Sequence, residues 1–357
     1  MSDLRLVRVM LQKREENLSR FASKAYETRG REISEEPPRL RTEFQRDRDR
    51  IIHCKAFRRI KHKTQVFIAP KGDHYVTRLT HTLEVAQIAR TIARALNLNE
   101  DLTEAMALGH DIGHPPFGHI GESELGSLCR KGFKHNVQSL RIVDHLEKKG
   151  KGLNLTFEVR QGILHHSKPR GDFWGEELPL DLSLEAQILR VSDAIAYLNH
   201  DLLDSFRAGI LGESDIPSDV RDILGHRHSS RIDSMITDIV RSSWRATGLV
   251  SDCEKPLISV SEPIRQAANA LREFMFQRVY MPINDGIEGI AARGIIRLLF
   301  EYFNKNVELI PVDYLELCDS AEDAAVDYIS GMTDNFAIEL SESISEGVSE
   351  HIRARLV

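Results

Sequence analysis

The sequence predicts an all-α fold, on three observations. Apolar residues recur at the spacing of an amphipathic helix along nearly all of the 357-residue chain. Runs with β character are short and scattered, and none sustains an alternation of apolar and polar positions. No internal repeat or low-complexity linker interrupts the helical pattern.

Each element follows in order. Leu4, Val7 and Leu11, then Leu18, Phe21 and Ala25, set out an amphipathic N-terminal helix. Glu35-Glu36-Pro37-Pro38 breaks it, because proline lacks an amide proton and restricts the residue before it. From about Arg46 to Lys63, Ile51, Ile52, Ala56, Phe57 and Ile60 form an apolar stripe, with basic residues on the other face. Thr64–Ala69 reads as a short extended piece and Pro70-Lys71-Gly72-Asp73 as a turn. Val85, Ala86, Ala89, Ile92, Ala93 and Leu96 give Thr82–Leu96 a wide apolar stripe. Asp101–Leu108 is a further helix, running into the Gly- and Pro-rich GHDIGHPPFGHIGE. Helices then fall at about Asn136–Lys148, Phe157–His165 and Leu184–Phe206. Four more cover roughly Asp219–Ala246, Glu262–Tyr280, Gly286–Asn304 and Ala321–Ile352. A C-terminal helical layer begins near Pro256–Pro263.

Composition narrows the function classes. With 41% apolar and 29% charged residues, the balance is that of a soluble globular protein. No stretch approaches the roughly 18 apolar residues that span a bilayer, and MSDLRLVRVMLQKREE has no apolar signal core. No membrane partner is expected. The four cysteines, Cys54, Cys129, Cys253 and Cys318, stand far apart without a CxxC pair. That pattern excludes a zinc ribbon and argues against a disulfide framework, so the expected location is cytoplasmic.

The net charge of −6 conceals an asymmetry. Between Arg41 and Arg78 stand 11 Lys/Arg against four acids, which is either a helix face of Arg–Asp pairs or a polyanion site. From Asn306 to Ile352 there are 12 acids and no Lys or Arg, read as solvated helix faces. Histidine is more telling: 11 of the 15 lie between His53 and His166. Mixed with aspartates and arginines, such a cluster points to metal or acid–base chemistry. The phosphate loop GxxxxGK[ST], GxGxxG after a strand, GxSxG and HExxH are all missing, so an enzyme here would work through histidines, carboxylates and arginines.

Four candidate metal ligands stand out: His81, His110, Asp111 and Asp193. His110 and Asp111 end a helix where the chain relaxes between Gly109 and Gly113. His81 lies at the start of the Thr82–Leu96 helix, after Arg78. Asp193 sits in the apolar stretch AQILRVSDAIAYL, where a bare carboxylate is costly unless paired or metal-bound. Two imidazoles and two carboxylates suit one divalent ion, Mg, Mn, Fe, Ni or Zn, with positions left for water and a phosphate oxygen.

The order H…HD…D resembles the HD-domain phosphohydrolase superfamily. FRRIKHKTQVF, RLTHTLEVAQIAR, GHDIGHPPFGHIGE, FKHNVQSLRI and the Asp193 helix, in that order, are similar to the bacterial dGTP triphosphohydrolase family. The resemblance is dense from about Arg46 to Phe206 and diffuse beyond. It implies an HD-domain helical bundle with a helical C-terminal extension: residues 1–45 as N-terminal helix and loop, 46–255 as HD phosphohydrolase domain, and 256–357 as a helical region packing on it.

What the resemblance implies chemically is metal-dependent hydrolysis of a deoxynucleoside triphosphate to deoxynucleoside and tripolyphosphate. Water attacks the α-phosphorus, and the leaving 5′-oxygen needs a general acid because it is a poor leaving group. His119 matches the family's catalytic histidine, Glu122 the carboxylate that orients it, and His114 a second active-site histidine. His135 resembles a further histidine near the phosphates. Arg59 and Arg78 match phosphate-side arginines, with Arg58 and Lys63 as weaker candidates. Gln65 resembles a glutamine that contacts the 3′-hydroxyl. Asp193, Tyr197 and Asp201 fall at i, i+4 and i+8, on one helical face. On that face Tyr197 would pack under the sugar, leaving no room for a 2′-hydroxyl, and Asp201 would take the 3′-hydroxyl. Ala194 follows Asp193 where eukaryotic relatives carry a phosphate-binding lysine, so their substrate preference does not transfer. His165-His166 in GILHHS matches another family block, with no role assigned.

Two other readings stay open. One is a different HD nucleotidase or phosphodiesterase. The other is a protein that binds nucleotides or single-stranded nucleic acid with little turnover. Relatives form homo-oligomers, often hexamers, so an assembly is expected on family grounds alone.

Overall fold

The computed structural model describes residues 3–68, 74–167, 181–250 and 255–352. Their regular elements are all helices, and the β pairings among them are two isolated antiparallel bridges, Arg31 with Thr156 and Thr64 with Thr77. The all-α expectation is met. The turn expected at Pro70–Asp73 and the cysteine at Cys253 lie outside the described residues.

Several expected helices are shorter than their apolar pattern, because polar groups stop them. The N-terminal helix runs Asp3–Glu15 and does not continue through Leu18 and Phe21. The Glu15 carboxylate instead accepts Ala25 N–H at 2.8 Å and Asn99 Nδ2 at 3.0 Å, turning the chain back. The helix expected over Arg46–Lys63 splits into Glu43–Ile52 and Lys55–Arg59. A Thr42–Gln45 capping box starts the first piece, and Cys54 Sγ caps the second by accepting Phe57 N–H. The last expected helix divides into Ala321–Ser330 and Asp334–Ile344, each begun by a hydroxyl cap, Ser320 and Thr333. Phe157–His165 falls as expected, and Leu184–Arg207 extends one residue further than expected.

The described residues divide into two compact units, each discontinuous in sequence. The first comprises Met1–His53, Thr82–His110 and Asn154–Met275. At its centre Leu184–Arg207 packs against Glu100–Gly109, Phe157–His165 and His228–Ser242. The Thr82–Leu96 stripe is fully enclosed there, with Val85, Ala89, Ile92 and Ala93 sealed from solvent. The basic face of Glu43–Ile52 is internally neutralised: Arg31 meets Asp47, Arg46 and Arg50 share Glu35, and Arg48 reaches Glu104. For that half of the basic stretch the structure is a paired helix face.

The second unit comprises Cys54–His81, Asp111–Leu153 and Phe276–Val357. Ile287–Lys305 is its spine, packed on Gly118–Leu128, Ala321–Ser330 and Asp334–Ile344. Phe117, Leu125, Ile295, Leu299, Ile329 and Ile338 belong to one apolar core. Two of the C-terminal acids, Asp327 and Asp334, are buried in this unit rather than solvated.

Candidate active site

Within the first unit, His110 follows directly on the Glu100–Gly109 helix, as its C-cap. Its Nδ1 lies 2.6 Å from the Ala107 carbonyl, which can only accept. The proton therefore sits on Nδ1 and the lone pair on Nε2. That nitrogen is 3.9 Å from Asp193 Oδ1. His166, which had no role in the sequence reading, is fixed in the same way, with Nδ1 2.7 Å from the Ile163 carbonyl. Its ring meets His110 edge to face at 4.8 Å, and His110, His166 and Asp193 present ligand atoms within 4.8 Å of one another. An imidazole held through one nitrogen by a carbonyl, with the other aimed at a carboxylate, is the donor arrangement of a metal ligand. These residues fit a divalent cation.

Asp193, Tyr197 and Asp201 lie on one uninterrupted helix, Leu184–Arg207, so their shared face is real. Between Leu184 and Leu202 that helix is buried except at Asp193 and Tyr197, which are half-buried. The expected ligand and the expected sugar-stacking ring are thus its accessible positions. Asp201 is buried, with His200 Nδ1 2.8 Å from its Oδ1. Burial acts to lower the His200 pKa, but Asp201 and Glu84 more than offset it and the net shift is upward. Burial raises the Tyr197 hydroxyl, against a hydrogen bond to Arg272 from Glu262–Met275. His166, His200 and Arg272 were missed by sequence reasoning; the doubled histidine at 165–166 was the sole signal.

In the second unit, His81 Nε2 is 3.6 Å from Asp111 Oδ2. Arg78 Nη1 bonds that same oxygen at 2.5 Å, and Arg78 Nε donates to the Thr64 carbonyl at 3.2 Å. Arg78 is 1% exposed, so in this structure it serves Asp111 and the Thr64 loop. Beside Asp111 stand three histidines and a glutamate. His114 Nδ1 is 3.1 Å from Asp111 Oδ1, and its ring stacks on His135 at 3.9 Å. Glu122 takes His135 Nδ1 at 2.7 Å on one oxygen and His119 Nδ1 at 3.0 Å on the other. His114, His119, Glu122 and His135 form a compact polar cluster.

Electrostatics separates these groups. His114 is fully enclosed, and desolvation, with Arg78 nearby, holds its pKa well below the ordinary value. Glu122 resists its own desolvation because His119 and His135 donate to it, and its pKa is driven far down. His119 has a side chain 71% exposed. Its neighbours strip part of the ring's water, which lowers the pKa, but the hydrogen bond and charge of Glu122 outweigh this and raise it. The two imidazoles that approach the same Glu122 oxygen are thus shifted in opposite directions, His114 down and His119 up.

The remaining candidates are placed differently. Gln65 is buried, and its Oε1 has no hydrogen-bond donor among the described residues. Arg59 Nη1 donates to the Gly331 carbonyl at 3.1 Å, and Lys63 Nζ to the His114 and Ser330 carbonyls at 2.6 and 2.8 Å. These two basic side chains support backbone in this structure. Arg58 is exposed.

Residues 78–198 match the family model described as HD domain, and 258–343 the one described as phosphohydrolase-associated domain. The chain is 51% identical over 326 residues to a deoxyguanosinetriphosphate triphosphohydrolase-like protein of Caldanaerobacter subterraneus, covering 90% of each chain. It is 46% identical over 344 residues to a protein of that description from Clostridium tetani, covering 94% of this chain and 97% of the relative. A further relative so described, from Bordetella pertussis, is 42% identical over 364 residues and covers 90% and 94%. Among the described residues no helix is long and apolar enough to cross a membrane.

Proposed function

This chain belongs to the deoxyguanosinetriphosphate triphosphohydrolase-like family of HD-domain phosphohydrolases, and we propose that it hydrolyses deoxynucleoside triphosphates to deoxynucleoside and tripolyphosphate. The observation that carries the reading is His119, exposed, hydrogen-bonded to Glu122 and raised in pKa. A phosphohydrolase that expels pyrophosphate needs little help for its leaving group. One that expels a sugar 5′-oxygen needs a proton donor at neutral pH, and a protonated imidazole facing outward supplies it.

His81, His110, Asp111 and Asp193 are the residues we assign to one divalent cation, and Mg, Mn, Fe, Ni and Zn all suit the set. Bound there, such an ion would lower the pKa of water and polarise a phosphoryl oxygen. The protein's own groups do the rest. Water oxygen bonds the α-phosphorus as the bond from phosphorus to the 5′-oxygen breaks. The departing electron pair stays on that oxygen, which takes the proton from His119, while the attacking water gives up one proton to solvent, from which His119 is reprotonated. Glu122 holds His119 in the donating orientation, and His114 and His135 flank it. On the sugar side Tyr197 stacks, Asp201 accepts the hydrogen bond of the 3′-hydroxyl, and the buried amide of Gln65 contacts the same hydroxyl. Arg59 and Arg78 complete the expected phosphate contacts only if substrate draws them from Gly331 and Asp111.

The test is a product assay on metal-loaded protein with each of the four deoxynucleoside triphosphates. Deoxynucleoside plus tripolyphosphate is expected; pyrophosphate or orthophosphate would assign the chain to another nucleotidase or phosphodiesterase chemistry. We further propose cytoplasmic residence, where the free thiols of Cys54, Cys129 and Cys318 stay reduced, and a homo-oligomer, with a hexamer the family precedent. Sedimentation with and without nucleotide tests the assembly.

A second partner class, single-stranded nucleic acid, is favoured by Lys55, Arg58 and Lys61, which stand exposed in the second unit. Binding through them should weaken steeply with salt and survive loss of turnover in His110→Ala.

A further inference from the structure

Phe117 has a backbone conformation that a bulky side chain seldom adopts, with φ 64° and ψ 22°, and Gly118 follows at φ 57°. This left-handed pair opens Gly118–Leu128, the helix that bears His119 and Glu122. Phe117 is sealed in the apolar core, which fixes its ring but not its amide. The amide is held by Asp334: Phe117 N–H donates to Asp334 Oδ1 at 3.1 Å. The other oxygen, Oδ2, takes Thr64 N–H at 2.8 Å and the Thr64 hydroxyl as well.

Thr64 is a junction in its own right. Its carbonyl receives Arg78 Nε, and Arg78 Nη1 seats Asp111. It also precedes Gln65. The two segments touch where a Cβ on Gly118 would come within 2.9 Å of Arg78 Nη2 and 3.1 Å of the Gln65 carbonyl. One buried carboxylate therefore ties the start of the acid-bearing helix to the loop that seats Asp111. Ser330, three residues before the Thr333 cap, takes Lys63 Nζ, whose other acceptor is the His114 carbonyl. The junction between Ala321–Ser330 and Asp334–Ile344 thus touches the catalytic segments at several backbone points.

We propose that Asp334, from the segment matching the phosphohydrolase-associated model, is a positioning residue that sets His119 and Asp111 in mutual register by clamping Phe117 and Thr64. The inference rests on the triphosphohydrolase reading for its kinetic consequence, though not for its structural one. A carboxylate is required because three donors converge on it. An amide in its place must turn an NH2 group toward Phe117 N–H or Thr64 N–H. Burial favours the neutral carboxyl of Asp334, and the Thr64 and Phe117 donors work against that tendency. The carboxylate also lies in the first turn of an 11-residue helix, where the aligned peptide dipoles favour negative charge.

The experiment uses the full-length metal-loaded protein with Asp334→Asn, and with Thr64→Val as a milder variant that removes one of the three donors. In Asp334→Asn, kcat should fall between about 10- and 100-fold while KM stays within about threefold, as expected when reacting groups shift by an ångström or so. Thr64→Val should fall in between. Hydrogen exchange should accelerate over residues 114–125 in Asp334→Asn, with exchange in Leu184–Arg207 unchanged. An Asp334→Asn protein with wild-type kcat and unaltered exchange at 114–125 overturns the proposal. So does a loss of kcat that only follows a uniform rise in exchange across the chain, since that is plain destabilisation. If wild type yields no tripolyphosphate, the functional reading fails, and the exchange difference alone then decides the clamp.

Discussion

Glu122 bonds His119 Nδ1 at 3.0 Å, and its second oxygen is occupied by His135 at 2.7 Å. The carboxylate cannot rotate without breaking one of these contacts, so the His119 ring direction is set by a group that is itself fixed. Replacing His119 with Gln should lower kcat by about 10² to 10⁴, the usual contribution of a general acid, with KM little changed. Steady-state kinetics at saturating metal checks it; an unchanged kcat removes His119 from the reaction.

The same pair gives a pH dependence with a defined sign. Glu122 raises the His119 pKa by stabilising its charged form. A general acid must be protonated, so activity is lost as pH rises through that pKa. In Glu122→Gln the stabilisation is gone, and the alkaline limb of the kcat profile should move to lower pH. A limb that stays in place would mean that another group titrates there.

His166 touches His110 edge to face, and neither ring can rotate freely because each Nδ1 is tied to a carbonyl. Removing the metal with a chelator should abolish turnover, and adding it back should restore it. His166→Ala should weaken metal affinity by about 10- to 100-fold, typical of a group that orients a ligand. Metal content after dialysis is the readout; full occupancy in the variant would make His166 a packing residue only.

Tyr197 and Asp193 are the accessible positions on a helix that is otherwise enclosed from Leu184 to Leu202. If the Tyr197 ring packs beneath the sugar, Tyr197→Ala should narrow the preference for deoxy over ribonucleoside triphosphate, seen as a ratio of kcat/KM values. Discrimination equal to wild type would put the ring elsewhere.

Much of this was legible in the sequence, for identifiable reasons. Asp193 stood out as costly because it sits in the apolar stretch AQILRVSDAIAYL, and Tyr197 and Asp201 followed from it at helical spacing. His110 and Asp111 were marked by the glycines around them. What escaped were contacts made across long sequence separations. Nothing near Asp334 distinguishes it from the other C-terminal acids; its burial comes from Thr64 and Phe117, more than 200 positions away. Arg78 and Arg59 read as phosphate ligands because they match phosphate-side arginines of the family that the sequence resembles. Their geometry shows Asp111 and a backbone carbonyl as present partners. Helix ends were misjudged where a remote side chain, such as Glu15 on Ala25, outweighed local periodicity.

Glu35 offers a test of the paired basic face. Its carboxylate, 25% exposed, takes Arg50 Nη2 at 2.5 Å, Arg46 Nη2 at 2.6 Å and Asn154 Nδ2. Partial burial acts to raise its pKa, but these donors and the charges of Arg50 and Arg46 prevail and hold it at about 2, against 4.5 for a free glutamate. Because the folded pKa is the lower one, the contribution to stability is fully present above pH 4.5. It declines as pH falls from 4.5 towards about 2. Its size at neutral pH is on the order of 1–3 kcal/mol. Glu35→Gln should therefore unfold at lower urea concentration than wild type at pH 7, and the gap should narrow between pH 4.5 and pH 2. A gap independent of pH would show that Glu35 acts through packing and neutral hydrogen bonds, with no net contribution from its charge.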